Sequence, residues 1–265
     1  MHDNFAFRNE DIVETRAIEE FKPDKVIHLA AITDAAGSFN RAEEVESVNY
    51  TATKIVAKAC LETGVPMIHS SSTSVYGTQN DAVDEFCSLD ELKPQSPYAE
   101  TKLREEELMS KMHQEEGLQV ITFRFGTIFG TSPGMRFHTA VNKFCLSAMM
   151  NEPLPVWSGA LYQKRPYLSL RDAFKIIKYT IEKKFFKNQV YNILSNNYTV
   201  NDIVRMIKKY RKETKIKFIK SKILNQLSYE VSNKKISSEN LNLNSKIIYD
   251  IKETLNLFKN INDGM

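Results

Sequence analysis

The chain has 265 residues, 42% of them hydrophobic and 26% charged, with a formal net charge of +3. That length suits one large α/β domain or a domain with a smaller lobe, and so small a charge, with no Arg/Lys stripe among aromatics, excludes a nucleic-acid partner. No apolar run approaches the ~20 residues that span a bilayer, and Met1-His2-Asp3-Asn4 carries no export signal, so a cytoplasmic protein without a membrane partner is expected.

In chain order, Val26-Ile27-His28-Leu29-Ala30-Ala31 reads as a buried strand. Residues 41–63 follow as a helix, with Val45, Val48, Ile55, Val56 and Ala59 on one stripe and Gly64 as its stop. The pattern then predicts a strand over 65–70, a helix over 97–116 ended by Gly117, and a strand over 119–124. Strands alternating with helices at this spacing imply a doubly wound parallel sheet, whose ligands sit outside the carboxyl ends of the strands. Beyond Gly130 a helix is expected over 135–150, short strands within 156–170, a helix over 172–183, and a capping box at Thr199 before a helix over 203–210. The remainder, rich in Lys, Asn and Ser, is unreadable, and Lys208-Lys209 and Lys234-Lys235 are expected on solvated faces. Cys60, Cys87 and Cys145 form no Cys-x-x-Cys pair, and the five histidines have no ligand spacing. Buried thiols and no metal are expected.

The chemistry concentrates in Ser72-Thr73-Ser74-Val75-Tyr76-Gly77 and Ser96-Pro97-Tyr98-Ala99-Glu100-Thr101-Lys102. Tyr98 and Lys102 stand one helical turn apart on one face, behind a serine N-cap and a proline at the first helical position. The ammonium and the helix terminus are expected to draw the phenol's pKa from ~10 toward neutrality. Ser72 would donate to the oxygen whose proton Tyr98 takes or returns, which equips the site to oxidise an alcohol to a ketone. Tyr50/Lys54 and Tyr179/Lys183 repeat the spacing, but they lie inside amphipathic helices without a serine cluster upstream and are assigned to packing.

With these residues laid out, the chain resembles the extended short-chain dehydrogenase/reductase family in its NAD-dependent nucleotide-sugar epimerase/dehydratase branch. Asp11-Ile12 is similar to the pair beside the adenine, and His28-Leu29-Ala30-Ala31 to the strand end under the cofactor. Ser72-x-x-Val-Tyr-Gly and Pro94-x-Ser-Pro-Tyr98-x-x-x-Lys102 resemble the catalytic elements. Arg124 to Gly130 is similar to the loop toward the substrate lobe. Gln163-x-Arg165-x-Tyr167 with Arg171-Asp172 resembles the segment gripping a nucleotide diphosphate, and Tyr191-Asn192-Ile193 a late strand.

The resemblance implies a Rossmann-like sheet with a smaller C-terminal α/β substrate lobe. Residues 1–130, rejoined by 165–195, would form a partial dinucleotide-binding domain, and 131–265 mainly the lobe. It implies catalysis by Ser72, Tyr98 and Lys102. NAD, with NADP left open, would contact Asp11, Ile12, Leu29, Ala30, Ala31, Asn49, Ser70, Tyr98, Lys102 and Phe125. A nucleotide-diphosphate sugar would contact Ser72, Thr73, Thr127, Asn142 and Arg165. The implied activity is epimerisation through a transient ketone. Reductase or decarboxylating relatives, a non-catalytic sugar-nucleotide binder, and a fragment that folds only with a partner supplying further strands are the alternatives, and a homodimer is an open expectation.

The sequence also departs from the family. None of its nine glycines forms the glycine-rich turn that holds a dinucleotide pyrophosphate. Residues 4–8 are expected to be the family's third strand, in a sheet incomplete at its start through a truncated coding region or a late start codon, with a naturally shortened protein as the alternative. Such a chain is expected to bind NAD no more tightly than millimolar. Ala52 replaces a usual glycine, and Thr127 a usual asparagine. Thr73-Ser74 replaces the Asp-Glu pair of the 4,6-dehydratases, which argues against dehydration.

Overall fold

The structure, a computed structural model, describes residues 5–35, 37–220 and 228–259. Its elements are α1 (Ala17–Phe21), β1 (Val26–His28), α2 (Ala42–Thr63), β2 (Met67–Ser72), β3 (Ala82–Val83), α3 (Pro97–Glu116), β4 (Val120–Phe125), β5 (Thr127–Phe129), α4 (Ala140–Met149), β6 (Leu154–Trp157), β7 (Lys164–Ser169), α5 (Leu170–Lys183), β8 (Val190–Ile193), β9 (Asn196–Thr199), α6 (Val200–Tyr210), β10 (Ile216–Ile219), β11 (Glu230–Val231), α7 (Lys234–Ser237) and α8 (Ile247–Leu257).

Four strands form one parallel sheet in the order β1-β2-β4-β8. Successive strand side chains point to opposite faces, and here each face has its own helices. Met67 and Val120 pack with Val56, Ala57 and Cys60 of α2 and with Met109 and Met112 of α3. On the other face Ile68, Ile121, Phe123 and Tyr191 meet Ala173 and Ile176 of α5 and Ile236 of α7. The sheet is therefore covered on both sides, as the alternation of strands and helices predicts. β4, between two strands, is buried along its whole length, as a central parallel strand requires.

After β4 the chain builds a second group. β5 and β7 pair in parallel, and β9 adds antiparallel to β7. β6 pairs with β10. Phe129, Tyr167, Phe144 and Cys145 of α4, Ile203 and Ile207 of α6, and Ile251 and Leu255 of α8 fill its core. β8 returns to the first sheet beside β4, and β11 pairs with β3.

Several expectations are corrected. Residues 5–8 form no strand, and Asn4 lies outside the described residues. Arg8 pairs with Glu10 and Glu20 and lies over the Phe21 ring, so this segment is tied to α1 rather than to the sheet. β1 stops at His28 rather than Ala31 because Asn49 of α2 captures the next turn: its Oδ1 accepts from the Ile32 amide at 2.7 Å and its amide donates to the Ile32 carbonyl at 3.0 Å. β2 begins two residues late, after Pro66, which has no N–H to give a ladder. The helix expected over 135–150 begins at Ala140, because Asn142 holds the Arg136 carbonyl at 3.0 Å in a loop. Lys235 is not on a solvated face: it is half-buried, donates to the Val190 carbonyl at 2.7 Å and lies over the Tyr191 ring. Cys87 is half-buried, whereas Cys60 and Cys145 are buried.

Candidate active site

β2 and β4 end side by side, with Ser72 in register with Phe125. Just past β2 the chain tightens into a 3-10 turn, Thr73–Tyr76, which Ser72 caps by accepting from the Ser74 amide at 3.2 Å and the Ser74 hydroxyl at 2.9 Å. With its oxygen accepting twice, the Ser72 proton is left to donate, and the phenol of Tyr98 is a hydrogen-bond partner. Gly77 closes the turn at φ +65°, where a Cβ would stand 1.8 Å from the Lys93 carbonyl oxygen, so a side chain is excluded there.

Tyr98 comes from the first turn of α3. Ser96 caps that helix by accepting from the Ala99 amide at 3.2 Å, with Pro97 in its first turn. Lys102, one turn on, is 2% exposed, and its Nζ donates to Glu105 Oε2 at 2.8 Å. His69 of β2 places Nε2 3.0 Å from the same oxygen and Nδ1 3.3 Å from the Thr122 hydroxyl. Burial alone would raise the Glu105 carboxyl, but the His69 hydrogen bond and the Lys102 ammonium outweigh it and hold the group below its ordinary value. His28 is buried against Thr53 at 3.0 Å. Burial first, then His69 and Lys102, push its pKa down to about 4.

The expected drop in the Tyr98 pKa is not found: the phenol stays above its ordinary value. Burial is the main cause. Lys102, the Ser72 hydrogen bond and Arg136 pull the other way, and the Glu105 carboxylate works against Lys102.

The other predicted residues fall in three groups. Around the strand ends, Ser70 donates to the His28 carbonyl at 2.8 Å, Asn49 is committed to Ile32, and Leu29 and Ala30 are exposed. Thr73 lies 3.3 Å from both the Phe125 carbonyl and the Tyr229 hydroxyl, while Thr127 is half-buried at the start of β5. Arg165, half-buried on β7, acts electrostatically on Tyr167 and Tyr229. Three residues are spent elsewhere. Asp11 is exposed and accepts from the Val13 amide at 3.0 Å, with Ile12 packed against the cluster that holds Val56, Cys60 and Met67. Asn142 accepts from the Gly130 amide at 3.3 Å and so holds the loop before α4. Glu105, His69, Tyr229 and Arg136, which engages Thr33, lie outside the sequence-based expectation. Only Glu105 leaves a sequence signal, its i,i+3 spacing from Lys102.

The profile of the NAD dependent epimerase/dehydratase family matches residues 6–193. A trifunctional UDP-glucose 4,6-dehydratase/UDP-4-keto-6-deoxy-D-glucose 3,5-epimerase/UDP-4-keto-L-rhamnose-reductase of Arabidopsis thaliana is 31% identical over 245 residues, 88% of this chain and 36% of that protein. An uncharacterized UDP-glucose epimerase of Bacillus subtilis is 30% identical over 174 residues, 64% of this chain and 52% of that protein. The chain thus spans about a third to a half of the length of these relatives. Among solved structures, the UDP-glucuronic acid 4-epimerase of Bacillus cereus in complex with UDP-glucuronic acid and NAD shares the fold with a TM-score of 0.84 at 23% identity, over 95% of this chain and 81% of that one.

Proposed function

The chain belongs to the NAD dependent epimerase/dehydratase family, and from that premise we propose that it epimerises a nucleotide-linked sugar through a transient ketone. The observation that carries the reading is the meeting of Ser72, Tyr98 and Lys102 at the adjoining ends of β2 and α3. NAD, when bound, supplies the hydride acceptor and donor. Tyr98 takes the proton of the reacting hydroxyl, Ser72 donates to that oxygen, and Lys102 stabilises the phenolate. After the ketone has turned its other face, the phenol returns the proton.

The residues fit the nicotinamide end of the cofactor. Lys102 has three donors and Glu105 uses one, and the exposed Leu29 and Ala30 leave open surface beside the site. For the pyrophosphate, no glycine-rich turn opens a helix among the described residues, and no residue is assigned to it. In this reading residues 1–130 with 165–195 carry the cofactor side and 131–265 mainly the sugar-nucleotide side, with Thr73, Thr127 and Arg165 facing the substrate. Epimerisation is favoured over dehydration because the carboxylate that acts on the phenol, Glu105, is committed to Lys102 and His69, while Thr73 offers a hydroxyl.

The second reading, a sugar-nucleotide binder without turnover, is favoured by that same engagement of Lys102. Incubating the chain with NAD and a panel of UDP- and dTDP-hexoses, with proton NMR of the sugar, separates the two. Conversion should fall about a hundred-fold or more in Tyr98→Phe while sugar-nucleotide affinity holds. Conversion that survives in Tyr98→Phe refutes the proposed role, and binding without conversion in the unaltered chain supports the second reading.

A further inference from the structure

Behind the phenol, Lys102 is joined by buried groups that the proposed chemistry leaves unused. Lys102 Nζ, Glu105 Oε2 and His69 Nε2 meet within 2.8 and 3.0 Å, and the Thr122 hydroxyl backs the imidazole. Lys102 is 2% exposed, and Glu105 and His69 are fully buried. The second Glu105 oxygen, Oε1, is enclosed without a hydrogen-bond partner. Burying an ion pair is no route to stability in itself, since an apolar pair of the same shape does as well or better. Nor is Glu105 needed to fasten α3 to the sheet. The next residue, Glu106, already does so through a two-pronged pair with Arg124 at 2.7 and 2.9 Å and a bond from Ser71 at 2.5 Å.

We propose that Glu105, oriented by His69, is a positioning residue that fixes the Lys102 ammonium and offsets its charge, and so sets how readily Tyr98 releases its proton. This rests on the roles given above to Tyr98 and Lys102. The charged and titratable groups that act on the phenol are Lys102 and Glu105 of α3, Arg136 of the loop before α4, and Tyr229 before β11, while His69 of β2 and His28 of β1 act on Lys102 and Glu105. Arg136 is engaged by Thr33 and His28 by Thr53, which leaves the Lys102–Glu105 balance as the adjustable part. Of the effects on the phenol other than burial, the pull of Lys102 is the largest, and the opposing push of Glu105 comes next.

The test reads the phenol directly and needs neither cofactor nor sugar nucleotide, so a failure of the epimerase reading does not touch it. The full chain is labelled with carbon-13 at the tyrosine Cζ, and the Tyr98 signal is identified by its loss in Tyr98→Phe. The signal is then titrated in the unaltered chain, Glu105→Gln, Lys102→Met and the double variant. Glu105→Gln should lower the midpoint by about one pH unit, and Lys102→Met should raise it. In the Lys102→Met background the Glu105→Gln shift should shrink, which marks an action through Lys102. Should Glu105→Gln fail to fold, Glu105→Asp, which keeps the charge but draws it back from Lys102, should move the midpoint the same way by less. An unchanged midpoint, or a phenol that stays protonated up to alkaline unfolding in both the unaltered and the Glu105-substituted chain, overturns the proposal. A purely packing role for Glu105 would lower stability and leave the midpoint where it was.

Discussion

Arg124 and Glu106 are 5% and 7% exposed and are joined by three short hydrogen bonds. Burial pulls the guanidinium pKa down, yet the carboxylate beside it raises it above its ordinary value, so the guanidinium stays charged. Removing one partner strands the other in a dry site. Glu106→Ala is expected to cost about 3–5 kcal/mol in urea unfolding, and Glu106→Leu with Arg124→Met should recover much of that loss. A double variant no more stable than the single would show that the charges themselves hold α3 in place. At Arg165 the expected effect is on ligand affinity. A planar fork of donors matches phosphate oxygens, and a lysine cannot reproduce it. Arg165→Lys should weaken calorimetric binding of a UDP-sugar about ten-fold, or ~1.4 kcal/mol. Equal affinities would remove Arg165 from the diphosphate.

Among the elements, α3 carries Tyr98 and Lys102, and its ends are fixed by local chemistry. Ser96 caps it and Gly117 stops it in the left-handed region. Ser96→Ala should lower stability by about 0.5–2 kcal/mol, and circular dichroism with urea would measure it. That local chemistry is also why the sequence alone delimits α3 to the residue: Ser-Pro at one end and Gly at the other are signals within the helix itself. The start of β2 is off by two residues because Pro66 removes a ladder donor. α8 has no comparable signal. It starts at Ile247, after Lys246, which gives no side-chain cap, and its burial comes from α4 and α6, which the local sequence does not reveal. The site divides in the same way. Tyr98 and Lys102 are legible as a pair because their spacing is local, and Ser72 because it stands in a serine cluster at a strand end, whereas His69 meets Glu105 across 36 residues and Tyr229 meets Thr73 across 156. Contacts of that range follow from the parallel crossovers and leave no periodic trace.

For the molecule as a whole, His28 ties acid stability to the sheet. Its pKa is about 4 in the fold against 6.5 ordinarily. Between those values the unfolded chain holds the extra proton and the folded one does not, so stability falls as the pH drops from 6.5 toward 4. The full loss is roughly 3 kcal/mol. His28→Gln should flatten that limb when urea midpoints are compared at neutral and mildly acidic pH, and an unchanged slope would assign the acid loss to other groups.

The guanidinium of Arg124 has one more consequence. It holds Glu106 of α3, and through Glu106 it reaches Ser71 at the end of β2. It also donates to the Tyr76 hydroxyl at 2.8 Å, which in turn donates to Asn192 of β8 at 2.9 Å. One cation thus links three strands of the main sheet, α3 and the serine turn. Such a knot leaves these parts no cheap way to open separately. In deuterium exchange the amides of β2, β4, β8 and α3 should surrender their protons together, at one shared rate. Residues 5–33, outside the knot, should exchange long before them. In Arg124→Met that single slow phase should split, with α3 released ahead of the strands.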